Sequence, residues 1–113
     1  MKKLVVIVLA LLSVNSMAAL SEYTGSDNGA ACTVKVDLTK RFVEMANISL
    51  VARKEKRMGN DLIVEGGVGF TEEKVTLTFN DQKEITSAKL EVKVLLMPTF
   101  TTKQVCSNLV RTK

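Results

Sequence analysis

The sequence predicts an all-β protein, a small antiparallel barrel or a two-layer sandwich of about six strands. Three observations carry this. Apolar and polar side chains alternate in short runs, the period of a strand with one buried face. Clusters of Gly, Asn and Asp separate those runs. A helical pattern is available only between Thr39 and Gly59, read as a short helix or irregular turn over 39–46 followed by a strand, with one longer helix ending at Gly59 as the alternative.

The chain opens with Lys2 and Lys3, an apolar run from Leu4 to Leu12, and the small residues Ser16 and Ala18. That order reads as a secretory signal peptide over residues 1–18, cleaved near Ala18. The expected product is a periplasmic or secreted protein whose residues 19–113 form a single disulfide-closed β domain. The apolar run falls well short of the roughly 20 residues a spanning helix needs, so no transmembrane segment is expected in the mature chain. Loss of Lys2 and Lys3 lowers the formal charge from +4 to +2. So small a balance gives little support to nucleic-acid binding, which normally shows as a concentrated basic face, and no nucleic-acid partner is expected.

Leu20 to Gly29 carries Gly25, Ser26, Asp27, Asn28 and Gly29 and no sustained apolar period, and reads as an N-terminal arm ending in a tight turn. Ala30 to Leu38 is the first expected core strand, with Cys32, Val34, Val36 and Leu38 on one face. Thr39 can cap a helical turn that puts Phe42 and Ala46 on one face. A strand from Ile48 to Arg57 follows, then a turn at Gly59, Asn60 and Asp61, and a second strand from Leu62 to Phe70. Gly66, Gly67 and Gly69 interrupt that second strand and mark a bend or a close backbone approach.

Val75, Leu77 and Phe79 alternate with Lys74, Thr76 and Thr78, and the polar loop Asn80 to Glu84 leads into Ile85 to Met97, the most strongly patterned stretch. There Ala88, Leu90, Val92, Val94 and Leu96 oppose Lys89, Glu91 and Lys93, and Pro98 stops the strand. A last strand is expected within Thr99 to Val110, with poorly defined parity because Val105 and Leu109 oppose Phe100, Cys106 and Val110. Cys32 and Cys106 are the only cysteines, and in an exported chain they are expected to form one disulfide that draws the last strand towards the first.

There is no histidine, and both cysteines are expected to be oxidised. That removes the usual triads, histidine-based zinc sites and thiol catalysis, so no catalytic, metal or cofactor-binding residue is assigned. The paired acids Asp61 with Glu65, and Glu72 with Glu73, sit near expected turns and read as solvated, the latter two on opposite sides of an extended chain. Arg53, Lys54, Lys56 and Arg57 form the one basic cluster, which is either the solvated end of a strand or a contact for an anionic partner.

The expected function is a non-catalytic binding or interaction module, an accessory or inhibitor of an envelope enzyme, whose partner is an unknown protein or envelope component. The alternative is a structural subunit that uses an open sheet edge. A small-ligand carrier ranks third, because tryptophan is absent and other aromatics are few. An outer-membrane barrel needs at least eight strands, an outward apolar band and aromatic girdles, and is set aside on those grounds.

Overall fold

A computed structural model describes residues 20–113; the signal peptide expected over residues 1–18 lies outside them. Nine strands follow one another: β1 (Leu20–Asp27), β2 (Ala30–Asp37), β3 (Phe42–Met45), β4 (Ile48–Val51), β5 (Lys54–Met58), β6 (Asp61–Val68), β7 (Thr71–Phe79), β8 (Ile85–Val94) and β9 (Thr101–Arg111). They make one antiparallel sheet in the order β4-β3-β2-β1-β9-β8-β7-β6-β5. The sheet curls into a half-barrel. Its two edge strands, β4 and β5, are consecutive in the chain and joined only by Ala52 and Arg53.

The all-β class agrees with the sequence, and the strand count and the helix do not. The arm from Leu20 is a strand because it pairs with β2 along its whole length, from Leu20 opposite Asp37 to Asp27 opposite Ala30. Only Tyr23 among its side chains is large and buried, so it carries no apolar period to read. Asn28 and Gly29 close this hairpin with φ of 52° and 88°, the left-handed pair a two-residue hairpin turn requires.

The stretch 39–46 contains no helix: a turn leads into β3, where Val43 and Met45 are buried on one parity. Ala46 and Asn47, again both with positive φ, reverse the chain into β4. Pairing with β2 and burial of Val43 and Met45 outweigh the local helical preference. The strand expected from Ile48 to Arg57 is divided at Ala52 and Arg53, whose backbone N–H groups donate to Arg41 and Glu65 on opposite halves of the sheet.

Curling places the inward side chains in one continuous core that includes Val34, Val36, Met45, Leu50, Val64, Val75, Leu77 and Leu90. Two glycines permit close approaches between strands distant in the sequence. A Cβ on Gly66 of β6 would lie 2.6 Å from Leu50 Cδ1 and 2.7 Å from the Val51 carbonyl oxygen, so only glycine lets β4 lie against β6. A Cβ on Gly25 would run into the Ser107 carbonyl. Opposite Gly25, β1 advances two residues from Thr24 to Ser26 while β9 spans three, from Val110 to Ser107. The extra residue is a bulge, with Asn108 at φ 55°. It explains the illegible parity of the last strand, since Cys106 and Leu109 are both buried although three positions apart.

Cys32 of β2 is bonded to Cys106 of β9, with Cα atoms 6.1 Å apart. β1 lies between these two strands, which in a flat sheet would be roughly 9.6 Å apart. The crosslink is therefore compatible only with a strongly curled sheet. Outside, the surface is charged: Lys74 and Lys89 approach Glu91 at 3.8 and 3.9 Å, and Lys93 approaches Glu72 at 3.5 Å. Nine strands remove the strand-count ground for setting aside a membrane barrel, and this charged outer face supplies a better one.

Strand β8 ends at Val94 instead of reaching Pro98, because its neighbour β7 begins at Thr71, opposite Val94. Beyond that point the apolar parity has nothing to pack against.

Two outcomes are expected. Leu90→Ala, at a side chain with no exposure, should cost about 2–5 kcal/mol in urea unfolding, whereas Leu96→Ala on the same parity should change stability by less than about 0.5 kcal/mol; similar losses for both would contradict the burial described. Replacing both cysteines by alanine, which opens a crosslink spanning 74 positions, should cost about 4 kcal/mol by the same measurement.

Candidate functional site

Because neighbouring strands are antiparallel, the turns at 28–29, 46–47, 69–70 and 95–100 fall at one end of the sheet and those at 38–41, 59–60 and 80–84 at the other. At the first end the halves are unequal. β3 and β4 have four residues each, whereas β7, β8 and β9 have nine, ten and eleven. β1 pairs with β9 only from Ser107 onwards, so Thr101 to Val105 have β8 on one side and no strand of the described residues on the other. The wall is open there.

A cleft of about 600 Å³ lies at this end, lined by Ile48, Glu73, Val92, Val94, Met97 and Thr101, with Thr71, Thr99 and Lys103 completing its wall. Its volume is in the range of small-molecule sites. Glu73 lies on the inward parity of β7 with Val75 and Leu77, opposite Gly66 on β6 and Val92 on β8, and is 6 % exposed. The Thr71 hydroxyl donates to Glu73 Oε2 at 2.8 Å. Glu73 was read from sequence as solvated; it is buried because the strand begins at Thr71, so that position 73 already lies within the paired sheet. Its shared parity with Val75, Leu77 and Phe79 was the available signal.

One inward row deeper, Gln104 of β9 lies opposite Leu90. Its Oε1 is buried and finds no donor among the described residues. A buried acceptor without a partner is unusual and costly, and it is what a donor-bearing ligand would relieve. Gln104 borders a separate polar cleft with Glu22, Thr33, Lys35, Glu44 and Asn47, and is not among the residues that line the apolar one. The apolar cleft therefore holds one inward acceptor, the Glu73 carboxylate, and its lining also includes Lys103.

The other sequence-derived candidates are not brought together. Asp61 accepts a hydrogen bond from the Thr78 hydroxyl at 2.8 Å, and Glu65, four residues along the same strand, is roughly 13 Å away. Glu72 faces outward to Lys93 and so does not share a face with Glu73. Strand β5 is exposed throughout. Arg53 and Lys54 border a shallow cleft with Glu65 and Glu72, Lys56 lies opposite Ile63, and Arg57 sits over the Phe79 ring at 5.7 Å towards the other end. The four basic side chains thus do not converge, and two of them stand beside acids. Among the described residues no group of three acidic or cysteine side chains is placed to hold a metal ion, and no helix is long and apolar enough to cross a membrane.

No protein-family model matches the chain, and no match to it is found among curated proteins or solved structures. The site is accordingly read from its own geometry.

The far end of the core holds Tyr23, the only tyrosine in the chain. Burial pushes its phenol above the ordinary value of 10.0, nearby Glu84 adds to the rise, and a hydrogen bond with the Ile85 backbone and the charge of Arg111 act against it. Spectrophotometric titration of the folded protein should therefore show one phenolate forming above pH 10. The unfolded chain gives up this proton first, so stability falls as the pH rises through the unfolded value towards the folded one. A midpoint at or below 10 would contradict the burial of Tyr23.

Proposed function

We propose that this protein is an exported, non-catalytic binding module whose ligand seat is the cleft at the open end of the curled sheet. The observation that carries the reading is the inward carboxylate of Glu73 set within apolar walls formed by Ile48, Val92, Val94 and Met97. A ligand that suits it has an aliphatic body and a cationic or hydrogen-bond-donating head. The apolar body gains by leaving water, and the head donates to the Glu73 carboxylate. Such a ligand turns the small-ligand carrier, ranked third from sequence, into the best supported form of a binding module.

Support for a non-catalytic role comes from the composition and placement of reactive groups. Histidine is absent, the cysteines are bonded to each other, and Glu72 and Glu73 occupy opposite faces. Assembly by strand addition is opposed at β5, one of the two sheet edges, because it carries Lys54, Glu55, Lys56 and Arg57 and charges along an edge oppose pairing with another chain; the open edge at Thr101 to Val105 borders the cleft, where a ligand is the reading adopted.

The test uses N-phenyl-1-naphthylamine as a fluorescent reporter of apolar sites. Wild-type protein should bind it saturably, and dodecylammonium should displace it better than dodecanoate. Glu73→Gln should narrow that preference by about tenfold or more, the worth of a hydrogen bond to a charged group. Val92→Arg should abolish the saturable phase while the thermal transition is retained. Absence of saturable binding, or equal displacement by the two amphiphiles, would overturn the reading.

A further inference from the structure

Beside the cleft, two turns stand out from the sheet. Val94, Leu95, Leu96 and Met97 are four consecutive exposed aliphatic residues, and Phe70 is exposed on the neighbouring turn; Leu96 is 93 % and Phe70 76 % exposed. The two turns are joined, since the Leu95 N–H donates to the Phe70 carbonyl at 2.7 Å. The Met97 N–H donates to the Val94 carbonyl at 2.8 Å, which closes the turn with Leu95 and Leu96 at its corner. Val94 and Met97 turn to the cleft wall, which leaves Phe70, Leu95 and Leu96 gathered on one projection; single exposed apolar residues are ordinary, but such a group is not.

We propose that Phe70, Leu95 and Leu96 form a tip that inserts into the surface of a phospholipid bilayer. Three observations select this occupant. The tip is convex, its side chains standing clear of the body, so a protein partner would have to supply a matching apolar hollow whereas acyl chains conform to it. Its N–H groups at 95 and 97 are already satisfied within the turns, which removes much of the penalty for taking backbone out of water. Lys103 lies on the strand that leaves the loop and has no ion pair among the described residues, whereas Lys93 on the entering strand is held by Glu72. The aliphatic stem of Lys103 allows its ammonium group to reach headgroup phosphates while the tip lies deeper. Phe70, Leu95 and Leu96 take no part in lining the cleft, so this proposal stands or falls separately from the ligand reading.

The experiment is sedimentation of the mature protein with vesicles of phosphatidylethanolamine and phosphatidylglycerol, alongside fluorescence of Leu96→Trp. The chain has no tryptophan, so the introduced indole is the sole reporter of its kind. Wild-type protein should co-sediment, and Leu95→Ser and Leu96→Ser should each weaken binding by about tenfold, the factor that corresponds to burying a leucine side chain. Leu38→Ser, an exposed leucine at the opposite end, should bind as wild type does. The Leu96→Trp emission should move to shorter wavelength when vesicles are added. All these sites are exposed, so thermal unfolding should be unchanged and serves as the check on folding. Failure of the wild type to co-sediment, or equal binding by the serine variants, would overturn the proposal. So would a concentration-dependent dimer that Leu96→Ser dissolves without vesicles, which would assign the tip to a second copy of the chain.

Discussion

A single antiparallel sheet with one apolar face and no second layer can bury that face only by curling upon itself. This constraint governs the protein. Each half of the sheet supplies inward Val and Leu side chains, and each needs the other half as its cover. The chain meets the requirement with local devices: glycine at Gly66, where β4 touches β6, and a bulge opposite Gly25, where β9 bends against β1. The Cys32–Cys106 bond then joins strands that a flat sheet would hold too far apart. The crosslink thus selects curvature as well as limiting the unfolded chain.

Curling also explains why β4 and β5 are two strands and not one. A continuous strand from Ile48 to Met58 would have to pair with β3 and β6 at once, along its whole length. Instead the chain changes sides at Ala52 and Arg53, each donating its N–H to a different half of the sheet. The edges of the sheet are therefore held together by the covalent chain and by the contact at Gly66. The exposed, charged β5 is the price of that arrangement, and its charges also discourage pairing with foreign strands.

Much of this was legible in the residues, and the illegible parts have physical causes. The hairpins at Gly59–Asn60 and Asn80–Glu84 and the disulfide follow from turn chemistry and cysteine count. β1 was hidden because backbone pairing with β2, not a side-chain period, makes it a strand. β3 was hidden because TKRFVEMA has a local helical pattern that tertiary pairing overrides. The opposite error occurred at Val94 and Leu96, where a faithful period-two pattern continues past the end of the partner strand and its apolar side chains emerge into solvent. Of the site, Val92 was visible as an inward residue. Glu73 was obscured by its acidic neighbour Glu72, and Gln104 by the broken parity of β9.

The cleft and the exposed turns share one origin. β7, β8 and β9 are more than twice as long as β3 and β4, so one half of the curled sheet rises above the other. The taller half has no opposite wall to cover its inner face, and this leaves Val92 and Val94 beside a cleft in place of a packed core. It also carries the 95–97 turn clear of the body. Shorter strands β8 and β9 would have closed the end more simply and exposed less apolar surface. Exposed apolar area at a rigid, hydrogen-bonded turn gives nothing to the stability of the isolated fold, because those side chains remain in water in the folded and unfolded states alike. The proposed ligand and bilayer give that surface a role that folding alone does not.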